Sequence, residues 1–431
     1  MQLDRDLANS SLEALQKAGA DKAQCVLRVM DKSEFTVNSG KIDLLRTTEN
    51  GSLTMTAIVD GQKGSLNLNE LDAESVERAV ADVIELARTS PPDEANDIAE
   101  GGAAQVFEAG PTEPDLDAMY DRLSNLIEYS KETHPRAIYD QMVYDFSVTT
   151  SLFKNSKGVD LQERSGGYSF SAMFSSREGQ KSASFNYTGL YSHDANRELW
   201  QCGSLDRLLR ENGEQVNTEG LKGKFIGDVI FTPDCLEEFL GTVTGFLGDG
   251  PMISGNSIYK DSIGQSIAAP SLTLHSRPIS SELASGYHVT GDGTLAQDST
   301  IIDKGVLTTH LLGLYGARKT GGRRAANDGG CFVVEPGDTP LDEMIAGVER
   351  GIWLGRFSGG HPTDSGDFSG VAKNSFLIEN GRITKPLAET MLSGNIAKML
   401  HTVRGFSRER TDFGNSIIPW MHAQGLTISG S

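Results

Sequence analysis

The sequence predicts an α+β protein in which an N-terminal unit of two helix-plus-antiparallel-meander halves precedes a β-rich C-terminal domain with peripheral helices. Helical spacing of apolar residues, followed by alternating strands and hairpin turns, occurs twice before residue 221. From residue 222 onward, Gly-rich hairpins replace that order. A chain of 431 residues is longer than the chain that a single hydrophobic core usually organises. We therefore expect the domains 1–221 and 222–431, with halves 1–92 and 114–221 of the first joined by a linker, 93–113.

The first half begins with leucines at helical spacing over residues 3–15, and Gly19 then provides a C-cap. Residues 23–68 alternate between polar and apolar side chains, as strands of an antiparallel meander do. Asp60-Gly61 is a hairpin signal, because the central positions of such a turn need positive φ. A second helix is predicted from Asp72 to Arg88, where two consecutive prolines soon follow.

The second half follows a segment rich in Pro, Ala, Gly and acidic residues, a composition typical of a linker. A helix is predicted from Asp115 to Glu132, because Leu, Met and Ile recur on one face. The strands predicted after it are Val143–Leu152, Tyr168–Phe174 and Ala183–Tyr191. The prediction of two halves rests on this order of elements and not on a residue-level repeat.

The C-terminal domain is predicted to be rich in short strands. These strands are Val229–Phe231, Ser271–His275, Ser299–Ile302, Val306–Leu312 and Ser375–Ile378. The predicted helices run from Pro233 to Val243, from Leu341 to Val348 and from about Glu389 to Leu400. Gly and Ser dominate residues 245–266, which suggests loops at a functional face. Thr320 to Gly330 offers no apolar anchor, so a mobile loop is expected there.

The charge balance argues against anionic partners. Lys and Arg number 39 against 59 Asp and Glu, giving a net charge of −20, which would repel a duplex or an anionic membrane. The acidic residues are dispersed, so solubility is the simplest reason for them. No apolar stretch is long enough to span a bilayer, and the acidic N-terminus does not read as a signal peptide. Four cysteines far apart in the chain exclude a C-x-x-C site. We expect a cytoplasmic protein with no direct nucleic-acid or membrane partner.

Common catalytic spacings are missing from the sequence. It contains neither a phosphate-binding G-x-x-x-x-G-K-[ST] loop nor a G-x-S-x-G nucleophile elbow. The glycines from Gly245 to Gly250 follow a helix, whereas a pyrophosphate site follows a strand. No two of the eight histidines lie within two helical turns of each other. The best local cluster, His361 with Asp364 and Asp367, is either a small group of ligands or a polar turn, and the Pro and Gly within it favour the turn.

A series of short motifs then indicates a family. From about residue 12 to the C-terminus their order resembles that of TldD/PmbA proteins. The motifs include Val59-Asp60-Gly61-Gln62-Lys63-Gly64, Asn155-Ser156-Lys157-Gly158, Ile302-Asp303-Lys304-Gly305, Gly366-Asp367-Phe368-Ser369-Gly370 and Ile378-Glu379-Asn380-Gly381. Some members of this family carry the name modulator of DNA gyrase.

The TldD/PmbA family, which this sequence resembles, has two branches. In the TldD branch, an H-E-x-x-x-H helix and a later cysteine hold zinc, and the glutamate is the base. The corresponding residues here, Leu240 to Gly245, contain no histidine and no glutamate, and no cysteine follows Cys331. Without ligands or base, this segment cannot activate water in the family's way. The chain therefore resembles the PmbA/TldE branch.

This resemblance implies a non-catalytic subunit of a TldD-type zinc metallopeptidase complex that acts on small unfolded peptides. The implied processes are peptide-antibiotic maturation, antitoxin degradation and gyrase modulation. The implied partners are a TldD-like subunit, a peptide substrate, and a second copy when that subunit is absent. The resemblance implies zinc in the partner. It implies no cofactor, no catalytic residue and no metal ligand in this chain. We expect the peptide or interface contacts to come from Ser257, Asp367, Phe368, Ser369 and Asn395.

Two other hypotheses remain open. One is a stand-alone hydrolase with an unrecognised site, for which His361, Asp364 and Asp367 are the local candidates. The other is a peptide-binding scaffold. Zinc in the pure chain would favour the hydrolase.

Overall fold

A computed structural model describes residues 3–38, 40–360, 362–388 and 390–430. Its helices are α1 (Arg5–Lys17), α2 (Ala73–Thr89), α3 (Leu116–Thr133), α4 (Leu205–Glu214), α5 (Pro233–Gly245), α6 (Asp249–Ser254), α7 (Leu314–Thr320), α8 (Leu341–Ala346) and α9 (Ile396–His401). Two single 3-10 turns lie at Leu199–Gln201 and Gln215–Asn217.

The strands fall into two sheets. Those of the N-terminal sheet are β1 (Lys22–Asn38), β2 (Lys41–Val59), β3 (Gln62–Leu68), β4 (Gln105–Ala109), β5 (Ala137–Asn155), β6 (Asp160–Glu178), β7 (Lys181–Ser182) and β8 (Asn186–Ser192). Those of the C-terminal sheet are β9 (Glu219–Gly220), β10 (Lys224–Phe231), β11 (Leu274–Ser276), β12 (Ser299–Asp303), β13 (Val306–Leu307), β14 (Phe332–Val334), β15 (Arg350–Leu354), β16 (Arg356–Ser358), β17 (Asp367–Lys373), β18 (Ser375–Glu379), β19 (Arg382–Ala388), β20 (Thr390–Asn395), β21 (Val403–Asp412) and β22 (Ile417–Ser429).

The N-terminal sheet has the strand order β3-β2-β1-β5-β6-β4, with β7 and β8 also paired to β6. The long strand β1 pairs antiparallel with β2 on one side and with β5 on the other. This pairing joins the two predicted halves into one sheet. Helices α1 and α2 cover the first half, and α3 and α4 cover the second. The predicted order of two helix-plus-meander halves is thus confirmed.

The two faces of the N-terminal sheet differ in polarity. Along β1, Cys25 and Leu27 are fully buried under the helices. Gln24, Val26 and Arg28, which alternate with these two residues, lie on the opposite face, which is only partly covered. This alternation follows from the two-residue period of a strand. The polar face is crossed by the C-terminal unit, where Val289 approaches Phe153 and Leu161.

The C-terminal sheet is mixed but mostly antiparallel. Its main path runs β13-β12-β11-β14-β22-β10-β15-β18-β19-β9, and β22 also pairs with β20 and β21. Helix α5 packs over β22, and Phe231, Phe239, Phe357 and Phe368 meet edge to face in the core. The fold is therefore α+β, with a β-rich C-terminal region and peripheral helices, as predicted.

One predicted helix was partly wrong. Residues 390–395 of the helix predicted from Glu389 to Leu400 form β20, and only α9 is helical, while Glu389 lies outside the described residues. Leu392 is buried in β20, which lies between β17 and β22, so strand pairing outweighs the helix propensity of this Leu- and Met-containing segment. The strand predicted over Val306–Leu312 also ends at Leu307.

The predicted linker carries structure of its own. Residues 93–113 contain β4, which pairs in parallel with β6. Asp93 accepts hydrogen bonds from the Tyr315 hydroxyl at 2.9 Å and from Lys319 at 2.6 Å, which ties the linker to α7. The change of sheet falls between β8 and β9, and the division into domains at 221 stays a prediction. Within the described ranges, no helix combines the length and the apolar character that a bilayer span requires.

Candidate functional site

Helix α5 contains Leu240 to Gly245, the segment that the family resemblance matches with the zinc motif of TldD-type chains. Leu240, Val243 and Thr244 are buried in the C-terminal core, and Gly241 offers no side chain. The Thr244 hydroxyl donates to the carbonyl of Leu240 at 3.0 Å, and the Thr242 hydroxyl donates to Glu238 in the same way. Because these six positions hold no imidazole, carboxylate or thiolate, they do not fit a zinc ion.

The remaining ligand-type side chains are dispersed. Among residues 3–38, 40–360, 362–388 and 390–430, no three His, Cys, Asp or Glu side chains converge as a metal site would require. Burial raises the pKa of the Cys25 thiol to about 12 and of the Cys331 thiol to about 11. The same cause raises the pKa values of Cys202 and Cys235. These thiols are therefore protonated near neutral pH and act as small apolar groups.

The segment around residue 364 forms a polar turn. The backbone N–H of Gly366 donates to Thr363, and the Ser365 hydroxyl donates to the Asp367 carboxylate at 2.9 Å. Asp364 accepts a hydrogen bond from Asn256 at 3.3 Å. His361, the third member of the hydrolase hypothesis, lies outside the described residues. The contacts of the two carboxylates match the turn that the sequence favoured.

Asp367 and Asn395 lie opposite each other on β17 and β20. The Asn395 amide donates to the Asp367 carboxylate at 3.0 Å and to the Ser365 carbonyl at 2.9 Å. Its oxygen accepts from the N–H of Lys398 and so caps α9. The hydrogen bonds from Asn395 and then from Ser365 hold the pKa of Asp367 below its usual value. This arrangement fixes an exposed, ionised carboxylate at the start of β17.

The other three predicted contact residues are placed differently. Ser369 is exposed on the same side of β17 as Asp367. Phe368 points to the opposite side, where only 3% of its surface is exposed, and it packs at 5.4 Å from Phe239. Ser257 is buried, and its hydroxyl accepts from the N–H of Tyr259. Only Asp367, Ser369 and Asn395 therefore present side chains to solvent at this face, and the functional roles stay predictions.

The segment from Thr320 to Gly330 has polar anchors that its composition did not reveal. Arg324 donates to both carboxylate oxygens of Asp292, at 2.7 and 2.9 Å. Asn327 is buried and bonds to Ser276 and to the carbonyl of Gln297. Burial pushes the pKa of Asp292 upward, but its bonds with Arg324, together with those from Thr290 and the backbone N–H of Leu314, outweigh burial and hold this pKa below the usual value. These contacts argue against the predicted mobility, because buried polar networks restrain a loop as apolar contacts do.

Replacing Arg324 with glutamine should free this loop. The change leaves the largely buried Asp292 carboxylate without its cation, so we expect the amides of residues 321–330 to exchange at least about tenfold faster. Hydrogen–deuterium exchange followed by mass spectrometry measures this. Arg323→Gln is the matched control, because Arg323 is exposed and one position away. Equal protection in both variants would show that Arg324 does not restrain the loop.

Sequence reasoning missed a groove on the polar face of the N-terminal sheet. The groove is a cavity of about 620 Å³, bounded by β1, β2, β3, β5 and β6 on one side and by the loop Val289–Gly291 on the other. The signal in the sequence was the polar alternation of Gln24 and Arg28 along β1. That alternation predicts an open face and cannot show that a segment about 260 residues later covers it.

A second cavity, of about 430 Å³, lies further along the same face and has acidic walls. Asp234, Glu237 and Glu238 line it from the first turns of α5. Burial raises the pKa of Glu237, which accepts a hydrogen bond from Ser416 at 2.6 Å. The hydroxyl of Tyr187 donates to Glu238 at 2.6 Å. The polar face therefore has one end with basic side chains and one with acidic side chains.

Comparisons with known sequences identify relatives along almost the whole chain. Residues 223–430 match the family described as the PmbA/TldA metallopeptidase C-terminal domain. The Metalloprotease PmbA of Escherichia coli O157:H7 is 23% identical over 444 residues, covering 97% of this chain and 96% of that protein. The Metalloprotease PmbA homolog of Haemophilus influenzae is 23% identical over 415 residues, covering 92% of this chain and 89% of the relative.

Solved structures share the fold. TldE from Thermococcus kodakarensis superposes with a TM-score of 0.84 at 18% identity, covering 98% of this chain and 100% of that one. A Bacteroides thetaiotaomicron protein described as a candidate modulator of DNA gyrase gives a TM-score of 0.89 at 24% identity and covers 100% of both chains. At these identities the superpositions establish the fold alone.

Proposed function

Because this chain belongs to the PmbA/TldD family, we propose that it is a PmbA/TldE-like, non-catalytic subunit of a TldD-type zinc metallopeptidase complex. In this proposal the complex acts on small unfolded peptides in the cytoplasm. Peptide-antibiotic maturation, antitoxin degradation and modulation of DNA gyrase are the processes in which it would take part. The zinc and the catalytic base belong to the TldD-like partner.

One observation supports the non-catalytic role above all others. The six residues of α5 that stand where the zinc motif would stand, Leu240 to Gly245, are apolar, glycine or threonine. The threonine hydroxyls donate to carbonyls of the same helix, so no side chain there can bind a metal or take a proton from water. In this proposal the chain contributes to hydrolysis by completing a chamber or by holding the peptide.

The proposed association with a TldD-like subunit rests on a fold that the two subunits would share. A surface that accepts a homologue often accepts a second copy of itself, so we propose a homodimer when the TldD-like subunit is absent. The loops 245–266 and 358–370 of the C-terminal region, with Asp367, Ser369 and Asn395, would then face a shared chamber. Exposed loop backbone can hydrogen-bond an extended peptide without reading its sequence.

The test compares this chain alone, a TldD-type subunit alone, and the two mixed. Elemental analysis, sedimentation and cleavage of an unfolded peptide are measured on each. We expect zinc and cleavage only where the TldD-type subunit is present, and a mixed species of one chain of each kind. Replacing the glutamate of the partner's H-E-x-x-x-H motif with glutamine should abolish cleavage and leave assembly intact.

The alternatives predict different results. About one tightly held zinc per chain, or peptide cleavage by the chain alone, would favour the stand-alone hydrolase and contradict the proposal. Peptide binding without any association with a TldD-type subunit would favour the scaffold.

A further inference from the structure

The groove on the polar face of the N-terminal sheet has the size of a ligand-binding site. Its volume of about 620 Å³ lies within the usual range for ligand sites. Ser52 and Thr54 of β2, Asn67 of β3 and Ser151 of β5 line it. The Thr54 hydroxyl donates to the Asn67 oxygen at 2.9 Å, which leaves the Asn67 amide hydrogens directed away from that bond. Val26, Phe153, Leu161 and Val289 add apolar side chains to the lining. The hydroxyl and amide groups can hydrogen-bond polar groups of a ligand, and the apolar side chains can contact its carbon atoms.

Two cationic side chains of this groove lack an acidic partner. Within the described ranges, neither Arg28 nor Lys63 forms an ion pair, and both are exposed. The Arg28 Nε donates to the Ser151 hydroxyl at 3.2 Å, which orients the guanidinium over the sheet. Glu163, which also lines the groove, is engaged by the backbone N–H of His288 at 2.6 Å and by its ring at 2.9 Å.

Several other basic residues of this sheet and its turns do have carboxylate partners. Lys22 and Lys157 both bind Asp97, and Lys32 binds Glu34. In a chain of net charge −20, carboxylates are abundant. Arg28 and Lys63 have no carboxylate partner in this groove, so acidic groups of a ligand could bind there. A guanidinium binds a carboxylate strongly when it is oriented.

The register of the strands sets the spacing of the two cations. Arg28 pairs with Ser52 of β2, and Lys63 pairs with Ile58 of the same strand. Ser52 and Ile58 are six positions apart, which corresponds to about 20 Å along an extended strand. An extended ligand would meet both cations with acidic groups about six residues apart.

We propose that this groove binds extended peptide segments that carry acidic side chains, with Arg28 and Lys63 as the carboxylate-binding groups. The inference rests on the proposed role in peptide handling and adds a substrate preference to it. A nucleic acid is disfavoured as the ligand, because two cations on a chain of net charge −20 neutralise few phosphates.

The test is fluorescence anisotropy with the full chain and labelled peptides. The first peptide has two glutamates six positions apart in a Ser, Thr and Ala background, the second has glutamines at those positions, and the third has the two glutamates adjacent. We expect the first to bind at least about tenfold more tightly than the second at low salt, and more tightly than the third. Equal binding of the first and second peptides would overturn the proposal, and equal binding of the first and third would reject the two-cation arrangement.

The variant Arg28→Gln/Lys63→Gln should lose the preference for glutamate. The matched control, Lys17→Gln/Arg78→Gln, removes the same charge from exposed positions of α1 and α2 and should keep the preference. A preference for glutamate that survives in the groove variant would contradict the proposal. So would an oligothymidylate that binds more tightly than the first peptide and whose binding is weakened by the same two substitutions. Assembly of the wild-type chain with a TldD-type subunit is measured separately. Failure to assemble would count against the proposed function, whereas failure to prefer glutamate counts against this groove only.

Discussion

Replacing Arg207 with methionine should lower the free energy of unfolding by about 3 kcal/mol. Arg207 of α4 binds Glu211 of the same helix at 3.1 Å and also binds Asp234 of α5, so it joins the N-terminal unit to the C-terminal unit. The three side chains are only 15%, 9% and 18% exposed. Without the guanidinium, two nearly buried carboxylates face each other unpaired, and burial already raises the pKa of Glu211.

Urea unfolding followed by circular dichroism measures this change. Arg78→Met is the control, because Arg78 forms an exposed pair with Glu74 one turn away on α2, and such a pair contributes about 0.3–0.5 kcal/mol. The variant Arg207→Met/Glu211→Leu/Asp234→Leu should recover part of the loss, since it removes the unpaired charges as well. A loss below about 1 kcal/mol in the single variant would show that water reaches these carboxylates more freely than the structure indicates.

Phe368→Ala should cost about 3–5 kcal/mol of stability, whereas Ser369→Ala should cost less than about 0.5 kcal/mol. The two residues are neighbours on β17 but point to opposite sides of the strand. Phe368 packs edge to face against Phe239 and Phe357 in the C-terminal core, at 5.4 and 5.7 Å between ring centroids. Ser369 is exposed. Truncating the ring leaves a cavity that the surrounding aromatic groups fill only in part.

Thermal unfolding of both variants checks this, and Phe368→Leu serves as the control that keeps most of the apolar volume. We expect Phe368→Leu to fall between the wild-type chain and Phe368→Ala. A fully stable Phe368→Ala would mean that this aromatic cluster is not the packed core that the structure shows. A loss of the proposed peptide binding in Phe368→Ala should be interpreted only after the stability of that variant is known. The same loss in Ser369→Ala would reflect the exposed face directly.

Elements with a strong local period were predictable from the sequence. Helices α2 and α3 were predicted within about two residues at each end, because apolar residues repeat on one face and an aspartate caps each start. Strand β20 was mistaken for a helix, because its neighbours β17 and β22 are distant in sequence and only their pairing makes it a strand. The strands β21 and β22 were not predicted at all.

The candidate site shows the same limit. The lack of histidine and glutamate from Leu240 to Gly245 is a local property and could be found in the sequence alone. The groove could not, because Arg28, Lys63 and the loop Val289–Gly291 come together only through the sheet and the packing of the two units. The anchoring of Arg324 by Asp292 was missed for the same reason.

The central place of β1 in the N-terminal sheet has a consequence for biosynthesis. Its partner β2 follows at once along the chain, but its other partner, β5, begins only at Ala137, more than a hundred residues after the start of β1 at Lys22. At typical rates of translation, about 5–20 residues per second, the second edge of this 17-residue strand stays unpaired for roughly 6–23 s while the chain emerges from the ribosome. An open edge of that length can pair with another nascent chain, so molecular chaperones that shield strand edges should improve the yield of this protein.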